Sequence, residues 1–199
     1  MNRRKLLKQA AVTSVALGSL PLAGGEALAD DGKRKQYHFL VLSRDAGGAG
    51  PEGVIISGEG AFGSGEVSGG GVFDHFRFIP PPPFPVVGTG TWKAKKFVSF
   101  TLAPVHPPSN PEGRHGVLQA GILKMTADFH PQGGGRVKGV ALEVVCNLGP
   151  AGANNPGKEE GVYITLPNGH EFEPTKPTTT GVTVFSTNDG SNDNNNNDD

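Results

Sequence analysis

The chain has 199 residues, with 18 Lys and Arg against 19 Asp and Glu, a formal charge of −1, and a single cysteine, Cys146. One cysteine excludes an internal disulfide, and the lack of clustered Lys and Arg excludes a nucleic-acid footprint or a polybasic membrane patch, which need many cations to displace counterions from phosphates. The 31 Gly and 17 Pro exceed average usage while the apolar residues are grouped into runs between them, the pattern of strands and turns.

The N-terminus reads Met1-Asn2-Arg3-Arg4-Lys5-Leu6-Leu7-Lys8, then an apolar stretch from Ala10 to about Ala23, then Ala27-Leu28-Ala29. Paired arginines, a short apolar region and an A-x-A site predict a signal peptide of the twin-arginine type over 1–29, with general secretion as the alternative route. The apolar region holds Ser14, Gly18, Ser19 and Pro21, too short and too mildly apolar for a spanning helix, so no stable membrane anchor is expected. Residues 1–29 carry Arg3, Arg4, Lys5, Lys8 and Glu26, so their removal takes the formal charge from −1 to −4. The expected location is outside the cytoplasm: secreted, periplasmic or at the cell surface.

Residues 30–36, with Lys33-Arg34-Lys35, read as a solvated linker. Strands are predicted over Tyr37–Ser43, Val54–Phe62, Val67–Phe78, Gly90–Leu102, Val117–Phe129, Val137–Cys146, Gly161–Leu166 and Val182–Phe185, with no sustained helical periodicity. Within Gly90–Leu102 the residues Trp92, Ala94, Lys96, Val98, Phe100 and Leu102 share one face, taken as the core face. Val117, Gln119, Leu123, Met125, Ala127 and Phe129 share another, as do Val140, Leu142, Val144 and Cys146. Strands this long close on themselves or pack in pairs. An all-β fold follows, a single antiparallel barrel of about eight strands over 37–185, with a β-sandwich as the alternative. Pro80–Pro83 with Pro85, Pro104–Pro111, Gly133-Gly134-Gly135 and Asn168-Gly169 supply the connections. Residues 186–199, rich in Asn and Asp, read as a disordered tail.

Gly58-Glu59-Gly60-Ala61-Phe62-Gly63 spells G-x-G-x-x-G, but Ser64-Gly65-Glu66-Val67 cannot open the helix that a pyrophosphate needs, so the glycines are read as close backbone packing. Asp74 and His75 point to opposite faces of a strand and cannot form a dyad with each other; one of them faces inward, and the pattern leaves open which. Lys96 reads as a charge on an apolar face, balanced by Asp74 or a glutamate, held by an anionic ligand, or reaching to a rim. Gln119 is a second candidate interior polar group. The histidines (His38, His75, His106, His115, His130, His170) show no metal-ligand spacing, Cys146 has no cofactor or hydrolase signature, and no G-x-S-x-G elbow is present. No metal, no cofactor and no catalytic residue can be assigned.

The segments Gly69–His75, Gly90–Lys95 and Leu142–Gly152 with Glu160-Gly161-Val162 resemble a group of small β proteins exported by prokaryotes through the twin-arginine route, over roughly residues 54–185. That resemblance implies no activity. Gly90-Thr91-Trp92 is similar to the G-x-W of lipocalin and avidin barrels, at a different place in the chain, which implies architecture only. Sparse polar residues on apolar faces point to a non-enzymatic exported barrel with a small or amphipathic ligand near Trp92, Lys96, Gln119 and Asp74 or His75. A structural or adhesive envelope protein, and an isomerase-type or metal-dependent barrel enzyme using Asp74 or His75, are the alternatives. The oligomeric state is left open.

Overall fold

Alternating apolar residues build strands along most of the described part of the computed structural model, which describes residues 34–46, 50–103, 117–148, 155, 157–174 and 181–187. The strands are β1 Lys35–Asp45, β2 Glu52–Gly63, β3 Glu66–Arg77, β4 Val86–Leu102, β5 Val117–Gln119, β6 Gly121–Pro131, β7 Val137–Cys146, β8 Gly161–Thr165, β9 Glu171–Pro174 and β10 Gly181–Thr187. Each pairs antiparallel with its neighbour in the order β2-β3-β4-β6-β7-β8-β9-β1, and β1 returns to β2, which closes an eight-stranded up-and-down barrel. Strands β10 and β5 continue from the other half of β1 and complete the sheet to ten.

The fold class is the expected one, with three changes in membership, of which the first is that the expected strand Val117–Phe129 is broken at Ala120: Val117–Gln119 is β5, paired with β10 outside the barrel, and Gly121–Pro131 is the barrel strand β6. Strand β9 has one apolar residue, Phe172, between two glutamates, and its four residues pair with only Ser43–Asp45 of β1 and Ile164–Thr165 of β8. So short and polar a segment gives no periodic signal, yet it supplies the closing strand. Strand β10 lies beside the barrel and runs on to Thr187. The strands thus reach past both expected domain limits, because Lys35 opens β1 and Ser186 and Thr187 are buried in β10. The expected signal peptide over 1–29, most of the expected tail, and the loop carrying His106 and His115 lie outside the described residues.

The interior is filled by rings. Phe73, Phe129, Trp92, Phe39, Tyr37, Phe62 and Phe185 form a continuous series with centroid separations of 5.0 to 6.5 Å. Such pairs add about 0.5–1.5 kcal/mol each beyond the area they bury. Bare backbone opposite them makes room. Gly58 and Gly60 of β2 and Gly69 and Gly71 of β3 share the inward phase with Ile56 and Phe73, and a Cβ on Gly58 would overlap Trp92 Cζ2 and approach Phe39 Cζ at 2.9 Å. A Cβ on Gly60 or Gly69 would come within 2.6 Å of the Tyr37 hydroxyl, which donates to Ser68 O at 3.1 Å. The G-x-G-x-x-G run is therefore continuous strand whose glycines make way for aromatic rings.

Candidate functional site

The five residues expected near a ligand do not converge. Trp92 is a core residue, 2 % exposed, with its ring stacked on Phe39 and its Nε1–H donated to Ser57 O at 2.8 Å. Lys96 is exposed on the outside of the barrel, which corrects its expected inward orientation. The cause is a β-bulge between Ala94 and Lys96: Lys95 and Lys96 both face out, Phe97 turns toward Phe62, and a second irregularity before Ser99 returns Phe100 to the interior. Gln119 lies opposite the fully buried Phe185, and its side-chain carbonyl oxygen is buried without a hydrogen-bond partner. The buried lysine of the barrel is instead Lys35, in the inward phase of Tyr37 and Phe39, with Nζ 5.8 Å from the Phe100 ring centroid.

Between Asp74 and His75, the inward residue is His75. It shares the phase of buried Phe73, lies opposite Val54, and meets the edge of Phe172 at 6.0 Å. Asp74 lies opposite Ile55 and Thr89 on the outer phase. At the rim His75 Nε2 is 3.2 Å from Glu52 Oε2, and the other carboxylate oxygen of Glu52 is 3.4 Å from Arg77 Nε. A second pair, His170 Nε2 and Asp45 Oδ1 at 3.4 Å, flanks the other side of Phe172, whose ring centroid is 4.7 Å from that of His170. Phe172 lies against both imidazoles, and His170 Nε2 is buried, so of the two only the His75–Glu52 pair is open to a molecule at the rim. Among the described residues no three His, Cys, Asp or Glu side chains come close enough to hold a metal ion. Glu52, Asp45 and His170 carry no motif in the sequence; only the strand register brings them here.

Two grooves on the outer surface of the described residues differ in character. One, of about 320 Å³, crosses β6, β7 and β8 and is lined by Lys124, Glu143, Lys158 and Tyr163. One carboxylate is shared by two lysines here, with Glu143 Oε1 3.0 Å from Lys158 Nζ and Oε2 3.2 Å from Lys124 Nζ, and Glu171 and Glu173 add further negative charge to the lining. Lys158 also lies over the Tyr163 ring, whose phenol is pushed up from its ordinary value chiefly by burial. The other groove, of about 470 Å³, crosses β10, β1, β2 and β3 and is lined by Leu40, Val72, Val182 and Val184 above Ser57, Gly58, Gly70 and Gly71. Leu40, Val72 and Val182 are each more than half exposed, and His38 Nδ1 and Glu59 Oε2 meet 3.6 Å apart on the adjoining row. Its floor at Gly70, in the outward phase with Val72, is bare backbone, and a Cβ there would overlap Trp92 O.

A sequence signal for this face exists in hindsight: Tyr37–Leu42 and Val54-Ile55-Ile56 are apolar in both phases of the strand, so one apolar set must face out. Asp128, on the opposite side of the barrel, is structural. It accepts from Arg136 Nη2 and from Gly139 N at 3.1 Å at the start of the β6–β7 hairpin, and the Arg136 hydrogen bond holds its carboxyl below the usual range. In comparison with known proteins, the chain matches no family model, no curated protein and no solved structure.

Proposed function

We propose that the protein is a non-catalytic, exported binding barrel that takes a small amphipathic ligand on its outside, in the groove across β10, β1, β2 and β3. One contrast carries this reading. The interior, where a lipocalin-like barrel would hold its ligand, is occupied by the ring series from Phe73 to Phe185, while Leu40, Val72 and Val182 leave an apolar groove open to water. A contiguous apolar patch on the surface of a folded domain marks a binding site. An apolar chain lying along the groove would cover the three side chains, and a polar head would reach the His38–Glu59 pair at one end.

The test is a titration of the full chain with N-phenylnaphthylamine, an apolar fluorophore that brightens on leaving water. Replacing Leu40 and Val182 together by Glu is expected to weaken binding at least tenfold while the circular dichroism stays that of the native barrel. Unchanged affinity in that variant would overturn the assignment of the groove.

A second reading, a barrel enzyme, is favoured by the His75–Glu52 pair at an open rim. It requires a turnover that His75→Gln abolishes without loss of fold. Retained turnover in that variant would remove His75 from the chemistry.

A further inference from the structure

A line of outward residues crosses five strands from β4 to β9. Lys96 lies opposite Thr126, Thr126 opposite Ala141, Ala141 opposite Thr165, and Thr165 opposite Glu171. The three central side chains are short, so they floor the groove of about 320 Å³ beside the taller Lys124, Glu143 and Tyr163 of the next line. The two ends of the line carry opposite charges that the protein leaves unused. Lys96 and Glu171 are exposed, and neither they nor Glu173 form an ion pair among the described residues. Arg44, opposite Glu173 on β1, turns its guanidinium onto the Phe78 ring instead, 4.1 Å from the centroid. Between the ends, Lys124 and Lys158 share the one carboxylate of Glu143, which leaves a positive charge in excess on the β4 to β7 side.

We infer that this groove holds a short peptide with free termini, its carboxylate toward Lys96 and Lys124 and its ammonium toward Glu171 and Glu173. It is a second ligand site, apart from the groove across β10, β1, β2 and β3 and independent of it. Charge, length and floor chemistry select this ligand. A purely anionic molecule would meet the two glutamates and a purely cationic one the lysines, so only a molecule charged oppositely at its two ends finds a partner at both. Four strand spacings of about 4.8 Å put the backbones of Lys96 and Glu171 roughly 19 Å apart along the surface. With both long side chains leaning inward, the remaining gap suits three or four extended residues, roughly 10–14 Å. On the floor, the Thr126 and Thr165 hydroxyls have no protein partner among the described residues, and each can donate to a peptide carbonyl or accept from a peptide N–H. An acyl chain would leave both hydroxyls unpaired. A longer polypeptide running through the groove would place neutral peptide groups, and no charged terminus, at each end.

The experiment titrates the full, isotope-labelled chain with tetra-alanine and follows its amide resonances, alongside the N-acetylated, C-amidated and doubly blocked forms of the peptide. Tetra-alanine with free ends is expected to shift the amides of Thr126, Ala141 and Thr165 and to leave those of Leu40 and Val182 in place. Blocking either end should weaken binding about two- to fivefold, the worth of one exposed ion pair. Lys96→Gln should weaken the free peptide by a similar factor and leave the affinity of the C-amidated one unchanged. Glu171→Gln combined with Glu173→Gln should weaken the free peptide and leave that of the N-acetylated one unchanged. All three side chains are exposed, so the fold should survive, and the unshifted remainder of the spectrum reports it. Three outcomes would overturn the inference: no shift at the floor amides with millimolar peptide, equal affinity for the doubly blocked form, or a loss in Lys96→Gln that is the same whether or not the carboxylate is blocked.

Discussion

The indole of Trp92 lies across the backbone of Gly58, and each residue requires the other: a Cβ at 58 would overlap the ring, and the ring covers the bare backbone while donating to Ser57 O at 2.8 Å. Gly58→Ala is therefore an overpacking change in a filled core and should cost about 1–3 kcal/mol. Gly133→Ala, where a Cβ meets nothing within 4 Å, should stay within about 0.5 kcal/mol. Equilibrium urea unfolding of the two variants measures the difference. Equal midpoints would refute the interlock.

Trp92 and Lys96, four residues apart on β4, should separate as sharply. Trp92→Ala removes a fully packed ring and should cost about 3–5 kcal/mol, whereas Lys96→Ala on the exposed side of the bulge should change stability by no more than about 0.5 kcal/mol. Thermal denaturation of both variants reads this directly.

Acid stability should depend on Asp128. Its carboxyl is held below the ordinary value of 3.8, chiefly by the Arg136 hydrogen bond, so its contribution is present above that value and is lost as the pH falls through the lower folded value. Asp128→Asn should lose less of its remaining stability than the wild type between about pH 4 and pH 2. Parallel acid-induced losses in the two proteins would remove Asp128 from this role.

Alkaline stability carries the opposite sign. Burial pushes the Cys146 thiol from 9.0 up to about 11, so the neutral thiol favours the fold at pH values below 9.0 and this contribution fades as the pH rises through about 11. The Tyr37 phenol is also raised from 10.0 by burial and extends the decline to still higher pH. Cys146→Ala should flatten the first part of this decline and leave the second. Ellman's reagent should react with Cys146 at pH 8 only at the rate of unfolding, since the residue is buried.

Hydrogen exchange should find the barrel's weakest seam at β9. That strand holds β8 through Ile164 and Thr165 and β1 through Ser43 to Asp45, while β6 pairs along most of its length with both β4 and β7. Amides of Glu171–Glu173 should exchange through local opening, well before those of Leu123–Ala127. Equal protection would mean that the two halves open as one unit.

The sequence made the all-β class, the barrel and most strand limits legible, because long alternating runs such as Val137–Cys146 keep one phase from end to end. It misled where a bulge changed the phase. Adjacent Lys95-Lys96 on the outer side is the trace of that bulge, and Phe97 and Phe100 that of the second one, since rings three apart cannot share a face in a regular strand. Orientation at His75 was undetermined because Val72, Phe73, Asp74, His75 and Phe76 place an apolar and a titratable group in each phase. Glu52, Asp45 and His170 were invisible for a different reason: a rim assembled from the ends of β1 and β2 and the β8–β9 turn depends on register, which no local pattern encodes.

The pairing of β1 with β10, Lys35 opposite Thr187 through Val41 opposite Gly181, joins the first described strand to the last. All the other neighbours except β1–β9 and β5–β10 are successive strands of the barrel and can pair while the chain lengthens, but this one waits for the last described strand. Completion of the fold is thus a test of completion of the chain: a product truncated before Gly181 leaves the Lys35–Val41 edge unpaired, with Leu40 beside it, and an unpaired strand edge invites association with other chains.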